Sequence, residues 1–131
     1  MEYVTDNFGI KRTYRDGKYH SYNDKPAVIY INGDQVWYKN DEVHRDNDMP
    51  ALIFSNGDQE WYQYDGLHRN NDLPAVIYVN GDQEWLQNGV YHRDNDMPAI
   101  ILANGHAEWW INGVLIKKCN NYFTKVKRAN H

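Results

Sequence analysis

Residues 74 to 85 read Pro-Ala-Val-Ile-Tyr-Val-Asn-Gly-Asp-Gln-Glu-Trp, and this stretch decides the fold. Val76, Ile77, Tyr78 and Val79 form a run of β-branched and aromatic residues that suits a pleated, half-buried surface. Asn80-Gly81 follows at once, the strongest short-range hairpin signal. The chain then returns through Gln83, Glu84 and Trp85. Strand, tight turn, strand is the reading, and Pro74, which lacks the N–H a central ladder requires, marks a strand entrance or a bulge.

The same pattern recurs every 24 residues. Histidines stand at His20, His44, His68 and His92, prolines at Pro26, Pro50, Pro74 and Pro98, and tryptophans at Trp37, Trp61, Trp85 and Trp109. Asp24, Asp48, Asp72 and Asp96 precede the prolines by two positions, and an alanine follows each proline. Asn-Gly pairs begin at Asn32, Asn56, Asn80 and Asn104. Self-similarity at a fixed period is the signature of a repeat architecture whose irregular ends act as caps. A half copy, residues 8 to 20, precedes the four units, and Ile116 stands where the next histidine is due.

A second turn follows each returning strand, at Asn40-Asp41, Asp65-Gly66, Asn88-Gly89 and Asn112-Gly113, so each unit is expected to supply about one hairpin. No helical period appears before residue 114. With Asn32-Gly33 as a two-residue turn, Val28 faces Trp37 and Ile29 faces Val36, and directly opposed residues share a face. Val28, Tyr30, Trp37, Leu52, Phe54 and Trp61 then line one apolar face, with Glu60, Glu84 and Glu108 on the other. A shift of one residue in the turn would exchange the faces. The fold class expected is all-β: tandem β-hairpin repeats in an elongated, single-layer, twisted antiparallel sheet, four units spanning roughly 40 Å at about 4.8 Å per strand. Residues 1–19 form the N-terminal half repeat, 20–116 the four units, and 117–131 a basic C-terminal cap or tail, all within one structural domain.

The step Trp85-Leu86-Gln87-Asn88-Gly89-Val90-Tyr91-His92 resembles the aromatic-x-x-Gly-x-x-His step of MORN-type repeats, at a period one residue longer and in a form similar to repeats of large DNA viruses and some bacteria. The resemblance covers residues 8 to about 116. In place of the family's usual glycines after the histidine stand His92-Arg93 and the inserted Asn95-Asp96-Met97-Pro98-Ala99. The resemblance implies consecutive hairpins and a viral scaffold, a dimer-forming module, or an attachment module for proteins and membranes.

The chain is acidic with a basic end. Lys117, Lys118, Lys125, Lys127 and Arg128 give the last sixteen residues a charge of +5, while the remainder holds nine basic and eighteen acidic residues, a net of −9. A mean hydropathy of −0.89 argues against a membrane-spanning stretch. Met1 to Gly9 show no basic-then-apolar leader. A single cysteine, Cys119, makes no internal disulfide, so an intracellular site is expected, in the cytoplasm or nucleus of a host cell or in a virion.

The histidine column invites a metal site, but equivalent positions in successive hairpins fall about 10 Å apart, whereas one zinc needs ligands at about 2.0 to 2.2 Å. Structural histidines, bonding to the next turn or stacking on tryptophan, are the expectation, and no metal or cofactor is assigned. His-Arg-Asp at 44–46 and 92–94 looks like a kinase catalytic loop but lacks its companion motifs. Arg45, Arg69 and Arg93 beside the aspartates read as a charge ladder fixing the long turns, alongside plain solvated surface as an alternative. No column pairs a nucleophile with a base, so the expectation is no enzyme.

Trp37, Trp61, Trp85 and Trp109 read as core. Trp110, outside that column, reads as an exposed anchor for a partner. Tyr122, Phe123 and Val126 fall at helical spacing and predict a short helix closing the sheet. Trp110, Tyr122, Phe123, Lys125, Lys127 and Arg128 form the candidate partner-binding set. The function expected is a non-enzymatic interaction or scaffold protein that self-associates, a homodimer included, or holds a protein partner. The alternative is a module that grips nucleic acid or anionic membrane through the basic tail.

Overall fold

In the computed structural model, which describes residues 2–129 without the side chains of Lys125, Lys127, Arg128 and Ala129, each apolar run pairs with the returning segment of its own unit and of the unit before. Val76–Ile77 pairs with Gln83–Glu84 on one side and Gln59–Glu60 on the other. Repeated along the chain, this pairing builds an open antiparallel sheet of eleven strands whose spatial order follows the sequence. It runs from Val4–Thr5 to Val114–Cys119. Local pairing of consecutive segments leaves nothing to cross over, which is why a 24-residue unit suffices.

The turn that sets the register is one residue longer than the sequence suggested. Tyr30 N–H donates to Asp34 O at 2.9 Å and Gly33 N–H to Tyr30 O at 3.0 Å, so the loop is Ile31-Asn32-Gly33. Gly33 has φ +96°, the left-handed position of a three-residue hairpin with a bulge. Asn32 Oδ1 accepts the Asp34 N–H at 3.0 Å and so locks the loop from its side chain. Val28 therefore opposes Val36, and Ile29 opposes Gln35. The faces exchange accordingly: Val28, Val36, Leu52, Glu60, Val76, Glu84, Ile100 and Glu108 share one face, and the tryptophans do not join it.

Each unit also supplies a second hairpin rather than a mere turn. Tyr38–Lys39 pairs with Glu42–Val43, Tyr62–Gln63 with Gly66–Leu67, and Leu86–Gln87 with Val90–Tyr91. These two-stranded pieces form a row beside the long sheet. The tryptophan is the fork between the two: Trp61 N–H donates to Ala75 O of the sheet at 2.7 Å, while Trp61 O accepts the His68 N–H of the hairpin at 3.0 Å. Asn and Asp close the hairpins because they tolerate left-handed backbone, as at Asn40 and Asp41 with φ +48° and +71°. The inserted Asn-Asp before each x-Pro does the same, with φ +63° and +55° at Asn47 and Asp48.

The core lies where the hairpins lean on the sheet. Ala75, Val76 and Leu86 are buried there, with Leu67, Tyr78 and Tyr91 packed around them. Full burial of a side chain such as Leu86 is worth about 2 kcal/mol. Ala27, Ala51, Ala75 and Ala99 are fully enclosed, which leaves no room for a larger residue after each proline.

In the last unit the two ladders merge. Ala107–Ile111 pairs with Val114–Cys119, with a register shift between Trp109 and Trp110. Lys117 and Lys118 are thus strand residues of the sheet rather than the start of a free tail, and the boundary drawn at 117 falls inside a strand. Tyr122–Ala129 forms a helix, docked by the Tyr122 N–H on Gly105 O at 3.0 Å and by the Tyr122 ring edge-on to Trp109 at 5.8 Å. Among the described residues no helix is long and apolar enough to cross a membrane.

Candidate functional site

Two repeated arrangements bring the chemistry-bearing residues together, one on each side of the tryptophan fork. The first is a seam between units. Arg69 reaches back to Asp48 with Nε at 2.9 Å and Nη2 at 3.3 Å, and gives Nη1 to Pro74 O at 3.1 Å. Its guanidinium lies 3.8 Å from the Trp61 ring centre, and the Trp61 indole N–H donates to Asp48 O at 3.0 Å. One aspartate thus takes the arginine on its carboxylate and the indole on its carbonyl. Arg45 with Asp24 and Trp37, and Arg93 with Asp72 and Trp85, repeat the geometry. The bond to Arg45 holds the Asp24 carboxyl below its ordinary value, and Arg93 does the same for Asp72. In the last unit Lys117 takes the arginine's place, 3.6 Å from Asp96 and 4.7 Å from the Trp109 ring centre.

The histidines stitch forward. His20, His44, His68 and His92 accept at Nδ1 the backbone N–H of Asn40, Tyr64, Asn88 and Asn112, at 3.0 to 3.2 Å. That bond requires an unprotonated Nδ1. A neutral ring then carries its proton on Nε2, which His44 and His92 give to Asp46 and Asp94 and His68 gives to Asn70. Burial, and then Arg15 and Lys39, hold the His20 imidazole below its usual value. Open clefts of about 410, 200 and 230 Å³ separate successive Asx-rich loops. Apart from Arg15, their arginines, histidines and tryptophan N–H groups are those already engaged in the contacts above. Among the described residues no group of three or more His, Cys, Asp or Glu is placed to hold a metal ion.

The second arrangement lies on the face of Val28. Glu60, Glu84 and Glu108 stand in one column there, half-buried, each held at Oε1 by a ring of the neighbouring hairpin. Tyr62 O–H donates to Glu60 at 2.8 Å, Tyr91 O–H to Glu84 at 3.3 Å, and Trp110 Nε1–H to Glu108 at 2.8 Å. Burial raises the Tyr62 phenol, with the Glu60 bond adding to it, and pushes Tyr91 up to about 12. Burial also raises Glu84, against the lowering bond from Tyr91, while Glu60 and Asp82 add to the rise. Glu108 moves the other way because His106 Nε2 donates to its Oε2 at 2.8 Å. His106 Nδ1 meets Asn120 Oδ1 at 2.7 Å, so two acceptors face one ring and its pKa rises, chiefly through Glu108.

Trp110 departs from the sequence expectation. It is half-buried, bonded to Glu108 and tilted against Tyr91 at 5.2 Å, so it closes the hairpin on the sheet rather than standing out as an anchor. Trp37, Trp61 and Trp85 are buried, and Trp109 is half-exposed beneath Lys117 and Tyr122. Phe123 is exposed on the helix. Lys125, Lys127 and Arg128 fall within the helix Tyr122–Ala129, and their side chains lie outside the described residues. The sequence set the glutamate column on the face away from Val28, because it joins that face only with the three-residue loop. The Asn32 to Asp34 spacing, which lets Asn32 cap that loop, was the available signal.

No protein-family model matches the chain, and comparison with curated proteins finds no significant match.

Proposed function

We propose that the chain is a non-enzymatic repeat scaffold, of the MORN-like kind its sequence resembles, that binds protein partners or a second copy along the sheet face carrying Val28 and its counterparts. The observation that carries this reading is how the polar groups are used. Arg45, Arg69 and Arg93 are bonded to the unit before, and the column histidines and indole N–H groups to backbone groups of the array, which supports their building the rod rather than acting on a substrate. The Val28 face keeps Tyr30 exposed and Phe54, Tyr78 and Leu102 half-exposed in one column, beside the buried Val28, Val76 and Ile100. Aromatic rings of this kind give rigid amphipathic contact area at low entropic cost.

The test is hydrogen exchange on the full chain in an extract of its native cell, with light scattering of the pure protein beside it. Added protection over residues 52–54, 76–78 and 100–102, or a dimer protected there, is the expected result. A monomer with no protection change in those segments would refute the reading.

A further inference from the structure

The carboxylate column contains one occupied site and two unoccupied copies of it. In the last unit Glu108 has Oε1 on Trp110 and Oε2 on His106, and Lys118 stands directly opposite on the neighbouring strand. In the second and third units Oε1 is held in the same way, by Tyr62 and Tyr91, but the residues in the position of His106 are Asp58 and Asp82. Those aspartates turn their Oδ1 to the N–H of Val79 and Ala103 in the next unit. No described basic side chain forms an ion pair with Asp58, Glu60, Asp82 or Glu84. Tyr78, packed against the core between them, has its phenol raised by burial first and then by Glu84, Glu60, Asp58 and Asp82 together.

The fold does not need these carboxylates. The first unit has Val36 in the same column, buried, on the same ladder position. A half-buried carboxylate without a counter-charge costs stability that valine avoids, and groups kept at such a cost mark functional positions. The fourth unit indicates the chemistry that completes the site, since it seats the His106 imidazole on Oε2 and sets Lys118 opposite on the neighbouring strand.

We propose that Glu60 and Glu84, flanked by Phe54 and Tyr78, bind a basic segment of a partner protein that presents two Lys or Arg side chains about 10 Å apart, the separation of equivalent positions two strands on. A polyproline II segment meets that spacing on one side with basic residues at every third position, at three residues per turn and about 3.1 Å per residue. The rings of Phe54 and Tyr78 add favourable contact with the same cations. The charge balance agrees, because the body of the chain outside its last sixteen residues is at −9. This inference rests on the scaffold reading and names the chemistry of its partner.

The experiment uses the full chain and three labelled twelve-residue peptides, read by fluorescence anisotropy. One has arginine at every third position, one has the same arginines in a contiguous block, and one has glutamate in their place. The spaced peptide is expected to bind about tenfold more tightly than the block peptide and to lose about tenfold in the Glu60→Gln/Glu84→Gln double variant. That variant folds, because removing half-buried charge relieves a cost, and its melting curve verifies it. His106→Ala frees Glu108 and is expected to tighten binding of the spaced peptide several-fold. Equal binding of spaced and block peptides, or binding indifferent to the double substitution, overturns the proposal. So does a dimer of the free chain that the double substitution dissolves, since the occupant is then a second copy. Should hydrogen exchange show a protein partner on this face while the spaced peptide fails to bind, the scaffold reading stands and the cationic partner falls; failure of both removes both.

Discussion

Replacing Arg69 by alanine tests the seam between the second and third units. The guanidinium makes a two-pronged bond to Asp48, a bond to Pro74 O and a stack on Trp61. The ion pair counts for little, about 0.5 kcal/mol, because the Asp48 side chain is 48% exposed and solvent screens it. The Pro74 carbonyl loses its donor at a cost of about 1 kcal/mol, and the stack on Trp61 contributes about 1 kcal/mol more. Arg69→Ala is therefore expected to cost about 2.5 kcal/mol. Arg69→Lys should cost only about 1 kcal/mol, because Lys117 shows that lysine in this column keeps the charge and the ring contact while losing the fork. Urea unfolding followed by tryptophan fluorescence reads both. Since repeat proteins gain their stability from nearest-neighbour contacts, Arg69→Ala should also broaden or split the transition as the two halves uncouple. A loss below about 0.5 kcal/mol for alanine, or equal losses for alanine and lysine, would refute the claim that the seam holds the array together.

Three other outcomes follow from particular contacts. Gly57→Ala should cost about 2 to 3 kcal/mol, because a Cβ there falls 2.8 Å from Val79 Cγ1 at φ +100°; Gly89→Ala, with nothing within 4 Å of its Cβ, should cost about 1 kcal/mol from backbone strain alone, and urea midpoints compare the two. Glu84 has its pKa raised by burial, so its contribution to stability is present below the ordinary carboxylate value of about 4.3 and is lost as pH rises through the higher folded value. At about pH 7 Glu84→Gln should then stabilise the chain, seen as a higher melting temperature. His20 is the opposite case: its lowered pKa makes its contribution present above about pH 6.5 and lost as pH falls through the lower folded value. The melting temperature of the wild type should therefore fall more between about pH 7 and pH 5 than that of His20→Gln.

The period, the hairpins and the open sheet were legible because their signals are local. Asn-Gly after Val76 to Val79, Pro74 ahead of them and Trp85 behind them specify a strand pair without reference to the rest of the chain. The register was not legible to the same degree. Asn80-Gly81 serves a two-residue turn or a three-residue loop equally well, and the choice rests on an Asn side chain capping the Asp two residues on, as Asn80 Oδ1 does for Asp82 N–H at 2.9 Å. One residue there moves Glu84 from one face to the other. The second hairpin was hidden for a different reason: two-residue strands such as Leu86–Gln87 carry too few residues for an alternating pattern, so Asn88-Gly89 reads as a turn and no more. Trp110 looked like an anchor because the glutamate that binds it was assigned to the wrong face.

The columns divide by what they touch, and the division explains how one rod can be made specific. Positions that stitch the array keep their identity along the chain: Asp24, Asp48, Asp72 and Asp96 each receive a cation from the segment that follows their unit, and Trp37, Trp61, Trp85 and Trp109 each donate to an Asp carbonyl. Other positions on the Val28 face change from unit to unit, as in Tyr30, Phe54, Tyr78 and Leu102, or the buried Val36 and the half-buried Glu60, Glu84 and Glu108. Stitching fixes the spacing of the units and leaves the second set free to vary, so recognition is written on a ruler whose marks the first set holds in place. Exchanging the outward residues of two units, Phe54 and Glu60 for Tyr30 and Val36, should leave the urea midpoint within about 1 kcal/mol of the wild type while changing what the face binds. If such an exchange unfolds the chain, the two sets are not separable and the glutamate column belongs to the core.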